Sequence, residues 1–415
     1  MINKNILWGV LVTLFVVVGA RAFWAFEQAK KHGVPTDLKP VSYETNQPPI
    51  IKTPQQISVV VPAEIPPTQT EDIAKVPAVP VVPKPTTPSV VPTQPSTPPS
   101  SPSASKNSAF VLVNMSTPDI TSLLANAQVD GVAMQLVWSQ FEKENNVYTW
   151  ALIDNNIDIA RAKGKKVTIH VFASLNAPSW LAAAGVKYYS YQDFQGKAHT
   201  DPIPWDSVYL SNYTDFLKAL ADHLKEKNYT DSVSNISVAT PVGEMSLISC
   251  RNGVLATGIN YDRALYLSAW KQMIDAHATY FPSINKFVSA PVGVICMPDN
   301  DTSFYREVMD YATSKYGKTF WVFAADLNAE GSSRTKNYLD YMSKTSLAYQ
   351  TIWSSTNDGK GRMKGTYPSN LKQAICKGLS NGASYFEIYA VDVANKDSSI
   401  QSAISIVHTP SLCAQ

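Results

Sequence analysis

The chain has 415 residues, 28 of them proline, with 35 basic and 33 acidic side chains and a net charge of +2. So small a basic excess excludes counterion-driven binding to nucleic acid, and a hydrophobic share of 45% excludes wholesale disorder. Eighteen of the prolines lie between Pro35 and Pro102, which excludes a single globule over the whole length.

Residues 1–32 open with an apolar run, Ile6 to Gly19, behind Met1 and Lys4, followed by the small-x-small triplet Ala20-Arg21-Ala22. This pattern predicts a signal peptide cleaved after Ala22. The apolar character resumes in Phe23-Trp24-Ala25-Phe26, which brings the stretch to about 20 residues, enough to cross a bilayer as an uncleaved anchor. Either reading exports the rest of the chain, to the cell surface on a membrane anchor or as a secreted protein. Residues 33–107 are a disordered linker rich in Pro, Thr and Ser, as in Val79-Pro-Val-Val-Pro-Lys-Pro85. Each proline removes a backbone donor and fixes φ, so no helix or central strand forms there. An extended polyproline segment of this length reaches on the order of 200 Å.

Residues 108–415 have ordinary composition and no proline-rich break, and they are read as one domain. Short apolar runs alternate with longer amphipathic segments, the pattern of parallel βα units. The runs are Phe110–Asn114, Val132–Trp138, Lys166–Ala173, Ile236–Thr240, Phe287–Pro291, Thr319–Ala324, Ala348–Trp353 and Ser384–Ala390. Helices are expected over Leu152–Lys163, Tyr213–Lys227, Ala264–Tyr280 and Asn370–Leu379. Eight βα units predict a closed (β/α)8 TIM barrel, an α/β fold. No glycine-rich phosphate fingerprint follows the first run, and no clustered histidines offer a metal site, so no cofactor is expected. In a barrel register Cys250 neighbours Cys296 and Cys376 neighbours Cys413, which predicts those two disulfides in an exported protein.

Barrel active sites lie at the carboxyl ends of the strands. Carboxylates occur there just after the fourth run (Glu244) and the sixth (Asp326) and within the eighth (Glu387). A carboxylate in an apolar strand costs several kcal/mol unless it is paired or solvated, so each marks a candidate acid or base. Aromatic residues gather at the same rim: Trp138, Trp180, Trp205, Trp353 and Tyr389. Flat rings beside polar groups suit the C–H faces of sugars. Gln135 and His170 are polar residues inside apolar runs, and either could bond a sugar hydroxyl.

Two stretches carry a family resemblance. Gly131-Val-Ala-Met-Gln-Leu-Val-Trp138-Ser139, then Phe141-Glu142, Val147-Tyr-Thr-Trp150 and Leu152-Ile-Asp154, resembles the second βα unit of β-galactosidase-like barrel glycoside hydrolases, including family 42. Lys165-Lys-Val-Thr-Ile-His170, Ala177-Pro-Ser-Trp180-Leu181 and Pro204-Trp205-Asp206 are similar to the third unit of the same group. The resemblance runs over about Gly131 to Glu244. It implies cleavage of O-glycosidic bonds in a carbohydrate, with an acid/base carboxylate at the place of Glu244. It also implies a glutamate nucleophile on the seventh strand, where this chain reads Ala348-Tyr-Gln-Thr-Ile-Trp353 and has none. Three readings remain. Glu387, across the barrel mouth, partners Glu244 at the wide separation of an inverting enzyme. Asp326 is the partner instead. Or the domain is a carbohydrate-binding or surface-structural module without catalysis.

Overall fold

The computed structural model describes residues 107–114, 120–174, 176–192, 198–238, 260–289 and 302–414. The expected anchor, the linker up to residue 106, Glu244, Cys250 and Cys296 lie outside these residues. Eight strands close into one barrel: β1 (Ser108–Asn114), β2 (Gly131–Val137), β3 (Lys166–Phe172), β4 (Val233–Ser237), β5 (Asn285–Ser289), β6 (Phe320–Leu327), β7 (Leu347–Thr351) and β8 (Ala383–Tyr389). Every neighbouring pair is parallel, and β1 pairs with both β2 and β8, which completes the circle.

Helices cover the outside, as parallel strands require on both buried faces. They are α1 (Ala151–Ala162), α2 (Ser207–Glu226), α3 (Arg263–Tyr280), α4 (Thr302–Tyr316), α5 (Ser369–Ser380) and α6 (Ser398–Ser405). The Asp206 carboxylate accepts from Tyr209 N and caps α2, and Asp262 accepts from Ala264 N and Leu265 N at the start of α3. Such caps satisfy first-turn donors that have no partner within the helix. Gly164 ends α1 with φ of 66°, a left-handed stop that glycine adopts without strain. The connection after β6 holds only 3-10 turns, Thr335–Asn337 and Leu339–Ser343.

Two cores result. A large outer one lies between strands and helices, and a small inner one fills the barrel with Phe110, Leu112, Ala133, Phe287, Phe323, Ala348 and Tyr385. Phe287 stacks on Phe323 with centroids 4.9 Å apart and meets Tyr385 edge-on at 4.8 Å. A Cβ at Gly131 would sit 2.2 Å from Lys166 O and 2.5 Å from the Phe110 ring, so only glycine lets β1, β2 and β3 approach at that point.

The strand bounds differ most from the sequence expectation, by three residues, in β4 and β6. β4 starts at Val233 rather than Ile236, because Asn235 and Ser237 point into the barrel and break its apolar pattern. β6 runs on to Leu327 through a bulge between Ala324 and Leu327. A disulfide joins Cys376 on α5 to Cys413, with the Cα atoms 5.5 Å apart, and ties down the end of the chain. Among the described residues no helix is long and apolar enough to cross a membrane.

Candidate active site

Side chains alternate along a strand, so residues two apart share a face. On β8, Tyr385 and Glu387 therefore point into the barrel. On β3, Thr168 and His170 do the same, joined around the circle by Gln135 on β2 and Gln350 on β7. His170 and Glu387 have no exposed surface, and Gln135 and Gln350 are buried.

These groups bond across the lumen. His170 Nε2 lies 2.6 Å from Glu387 Oε1, and the Tyr385 hydroxyl lies 2.9 Å from the same oxygen and 2.8 Å from Thr168 Oγ1. Gln135 Nε2 donates to Gln350 Oε1 at 3.2 Å. With its proton on Nε2, His170 donates to the carboxylate, and the tyrosine hydroxyl supplies a second donor. The His170 ring rests against Phe287 and Phe323, with centroids 6.0 and 5.6 Å away. An acid held by two donors on an apolar floor has a fixed position, which acid/base chemistry requires of its groups.

Toward the carboxyl ends of the strands the site continues into aromatic residues. Tyr389 follows Glu387 on β8, and its ring centroid lies 5.9 Å from that of Trp353, just beyond β7. Both are half-buried. Trp353 Nε1 donates to Asn357 O at 3.2 Å, and the Arg362 guanidinium lies over the ring, 4.5 Å from its centroid.

The structure therefore brings Gln135, His170, Glu387, Trp353 and Tyr389 together; Glu244 lies outside the described residues, and Trp138, Trp180, Trp205 and Asp326 make other contacts. Trp138 is fully buried on the helix side of β2, against Trp180, Tyr209, Tyr213 and Phe216, which leaves no ring face for a sugar. Its Nε1 donates to Glu142 Oε2 at 2.7 Å, and Asn146 N donates to Oε1 at 2.8 Å. Burial pushes the Glu142 carboxyl above its ordinary range against those hydrogen bonds. The acid thus holds the hairpin after β2 in place. Trp180 packs edge-on to Trp138 and donates to Glu142 O, and Trp205 packs on Tyr261 and Tyr266.

Asp326, the other candidate for second carboxylate, is taken up by its own loop. It accepts from Ser333 N at 3.1 Å, Ser333 Oγ at 3.0 Å and Arg334 N at 3.3 Å, and also from the Ser332 hydroxyl. Gln350, Tyr385 and Thr168 belong to the site without standing out in the sequence. The signal for each is parity, since each lies two residues from another barrel-facing residue on its strand. Among the described residues no cluster of His, Cys, Asp and Glu could hold a metal ion.

A second acid lies in the connection after β3, in the hairpin of Tyr188–Gln192 and Ala198–Pro202. Asp201 is buried and accepts from the Tyr191 hydroxyl at 3.0 Å. Burial pushes its carboxyl up to about 6, opposed by that hydrogen bond and by His199. The folded state therefore favours the protonated form. The resulting destabilisation is absent below about pH 4, grows as the pH rises, and is complete above about pH 6. Two pH units correspond to at most about 3 kcal/mol. Asp201→Asn keeps an acceptor for Tyr191 and removes the charge. It is expected to stabilise the fold by up to that amount at pH 7, with the gain vanishing at pH 4. Urea unfolding at pH 4, 5, 6 and 7 reads this, and a gain that does not change with pH contradicts it.

No protein-family model matches the chain, and no curated protein matches it. Among solved structures it is similar to the native xylanase 10B from Thermotoga maritima, at 10% identity and a TM-score of 0.45, covering 75% of this chain and 97% of that one. It is also similar to an exo-β-1,4-mannosidase from Opitutaceae bacterium strain TAV5, at 11% identity and a TM-score of 0.42, covering 68% of this chain and 52% of that one. The (β/α)8 class follows from the closed parallel strand order itself.

Proposed function

We propose that the chain is a glycoside hydrolase that cleaves O-glycosidic bonds of a polysaccharide or oligosaccharide. It is exported through residues 1–32, which also hold it at the membrane, at the end of the linker 33–107, when the apolar segment is not cleaved. The observation that carries the reading is the barrel-facing carboxylate of Glu387, bonded to His170 and Tyr385 beneath Trp353 and Tyr389. The β-galactosidase-like pattern from Gly131 to Glu244 supports it. In this reading Glu244 protonates the leaving oxygen, and Glu387 accepts a proton from the attacking water. Such a pair inverts the anomeric centre when the carboxyl groups stand about 6.5–9.5 Å apart. The absence of a carboxylate on β7, where Gln350 faces the barrel, agrees with inversion rather than a glycosyl-enzyme intermediate.

The complete burial of Glu387 favours a second reading, in which the pair is a strut and the domain binds carbohydrate without cleaving it. Sugar release by the full chain over a panel of polysaccharides, with Glu244→Gln alongside, separates the two. Hydrolysis that falls at least a hundredfold in the variant is the expected result. A glycan retained equally by both proteins and cleaved by neither supports the second reading.

A further inference from the structure

The loop after β7 carries an arginine that the fold positions and leaves unspent. Arg362 lies over the Trp353 ring, and among the described residues its guanidinium makes no ion pair and no hydrogen bond. The nearby acid makes no ion pair with it: the Asp358 carboxylate accepts from the loop's own backbone, from Arg362 N at 2.7 Å and Met363 N at 2.6 Å. The loop is also fixed from outside, since Ala329 N, in the loop after β6, donates to Met363 O at 2.8 Å. Within Asp358–Lys364 the sequence places Lys360, Arg362 and Lys364 against that single acid. The indole N–H of Trp353 is already spent on Asn357 O, so what the indole presents is ring face.

A guanidinium lying over an aromatic ring gains about 0.5–1 kcal/mol at an exposed site. That holds the side chain without using its planar donors, which match a two-oxygen anion. Trp353 beside Tyr389 suits a sugar ring, and the guanidinium over one face of the indole suits an oxyanion on that sugar. We propose that this site takes an anionic glycan, one bearing carboxylate or sulfate groups, and that Arg362 reads the anion while Trp353 carries the ring. The inference rests on the carbohydrate reading of the site and narrows it to a substrate class.

The test is affinity electrophoresis of the full chain at 150 mM salt on two matched pairs: polygalacturonate with its methyl ester, and dextran sulfate with dextran. Retention on a charged member and not on its neutral partner is expected, and the pair that responds distinguishes carboxylate from sulfate. Arg362→Gln is expected to weaken that retention at least tenfold, with Arg362→Lys between the two, because an ammonium keeps the charge and loses the fork. Circular dichroism of the variants controls for folding. Retention on a charged glycan that Arg362→Gln does not change overturns the role of Arg362. Equal retention on charged and neutral glycans, lost in Trp353→Ala and kept in Arg362→Gln, overturns the anionic class and leaves the carbohydrate reading standing. No retention on these four or on the polysaccharide panel overturns both.

Discussion

Glu387→Gln is expected to lower sugar release at least a hundredfold while the fold survives, and Glu387→Leu is expected to cost about 3–5 kcal/mol of stability as well. The two substitutions differ in what they leave behind. Glutamine keeps the length and a carbonyl oxygen that the Tyr385 hydroxyl can reach. The same oxygen can accept from His170 Nε2 as well, since both donors reach Oε1 in the parent. Leucine leaves His170 and the Tyr385 hydroxyl facing an apolar group inside a closed barrel, and a buried polar group without its partner carries its full desolvation cost. Urea midpoints and sugar-release rates on the same preparations read both effects. A parent-like rate in Glu387→Gln assigns the carboxylate to holding the barrel interior together rather than to chemistry. If Glu387→Leu is as stable as the parent, the cross-lumen bond contributes nothing net, and His170 and Tyr385 bear no desolvation cost when it is lost.

Much of the fold was legible because a barrel repeats one signal eight times. Each strand buries both faces, so it reads as an apolar run, and the runs came out in order. The runs shifted where polar residues face the lumen, as Asn235 and Ser237 do in β4. The site was legible where one polar residue broke an apolar run, as with His170 and Glu387. It was not legible where partners come from opposite sides of the barrel, since the bond between His170 and Glu387 joins residues 217 apart in sequence. Parity would have corrected one aromatic. Ala133 and Gln135 face inward, so Trp138, an odd number of positions further on, faces the helices. Asp326 was beyond reach in this way, because the bulge after Ala324 sets its direction and no residue type announces it.

Asp392→Ala is expected to cost about 3–5 kcal/mol and to loosen the loop that carries Trp353 and Arg362. Asp392 lies in the turn Ala390–Ala394, directly after β8, and is fully buried. It accepts from Ser354 Oγ at 2.9 Å, Ser355 N at 2.9 Å and Thr356 N at 2.7 Å, the first three residues after Trp353. Burial pushes its carboxyl above the ordinary range against all three of these donors. The charge is therefore costly in place, and it is kept where it joins the end of β8 to the start of the loop after β7. Alanine leaves a hydroxyl and two backbone N–H groups without an acceptor in the interior. Asparagine keeps one oxygen for Ser354 and Thr356 but turns a donor toward Ser355 N, so Asp392→Asn is expected to cost less, about 1–2 kcal/mol. Hydrogen exchange over residues 354–363 gives the local readout. In Asp392→Ala those amides should lose protection well before the barrel strands do, and sugar release should fall with them. Unchanged protection there, with stability lost uniformly, assigns Asp392 to the core alone and removes it from the support of the aromatic rim.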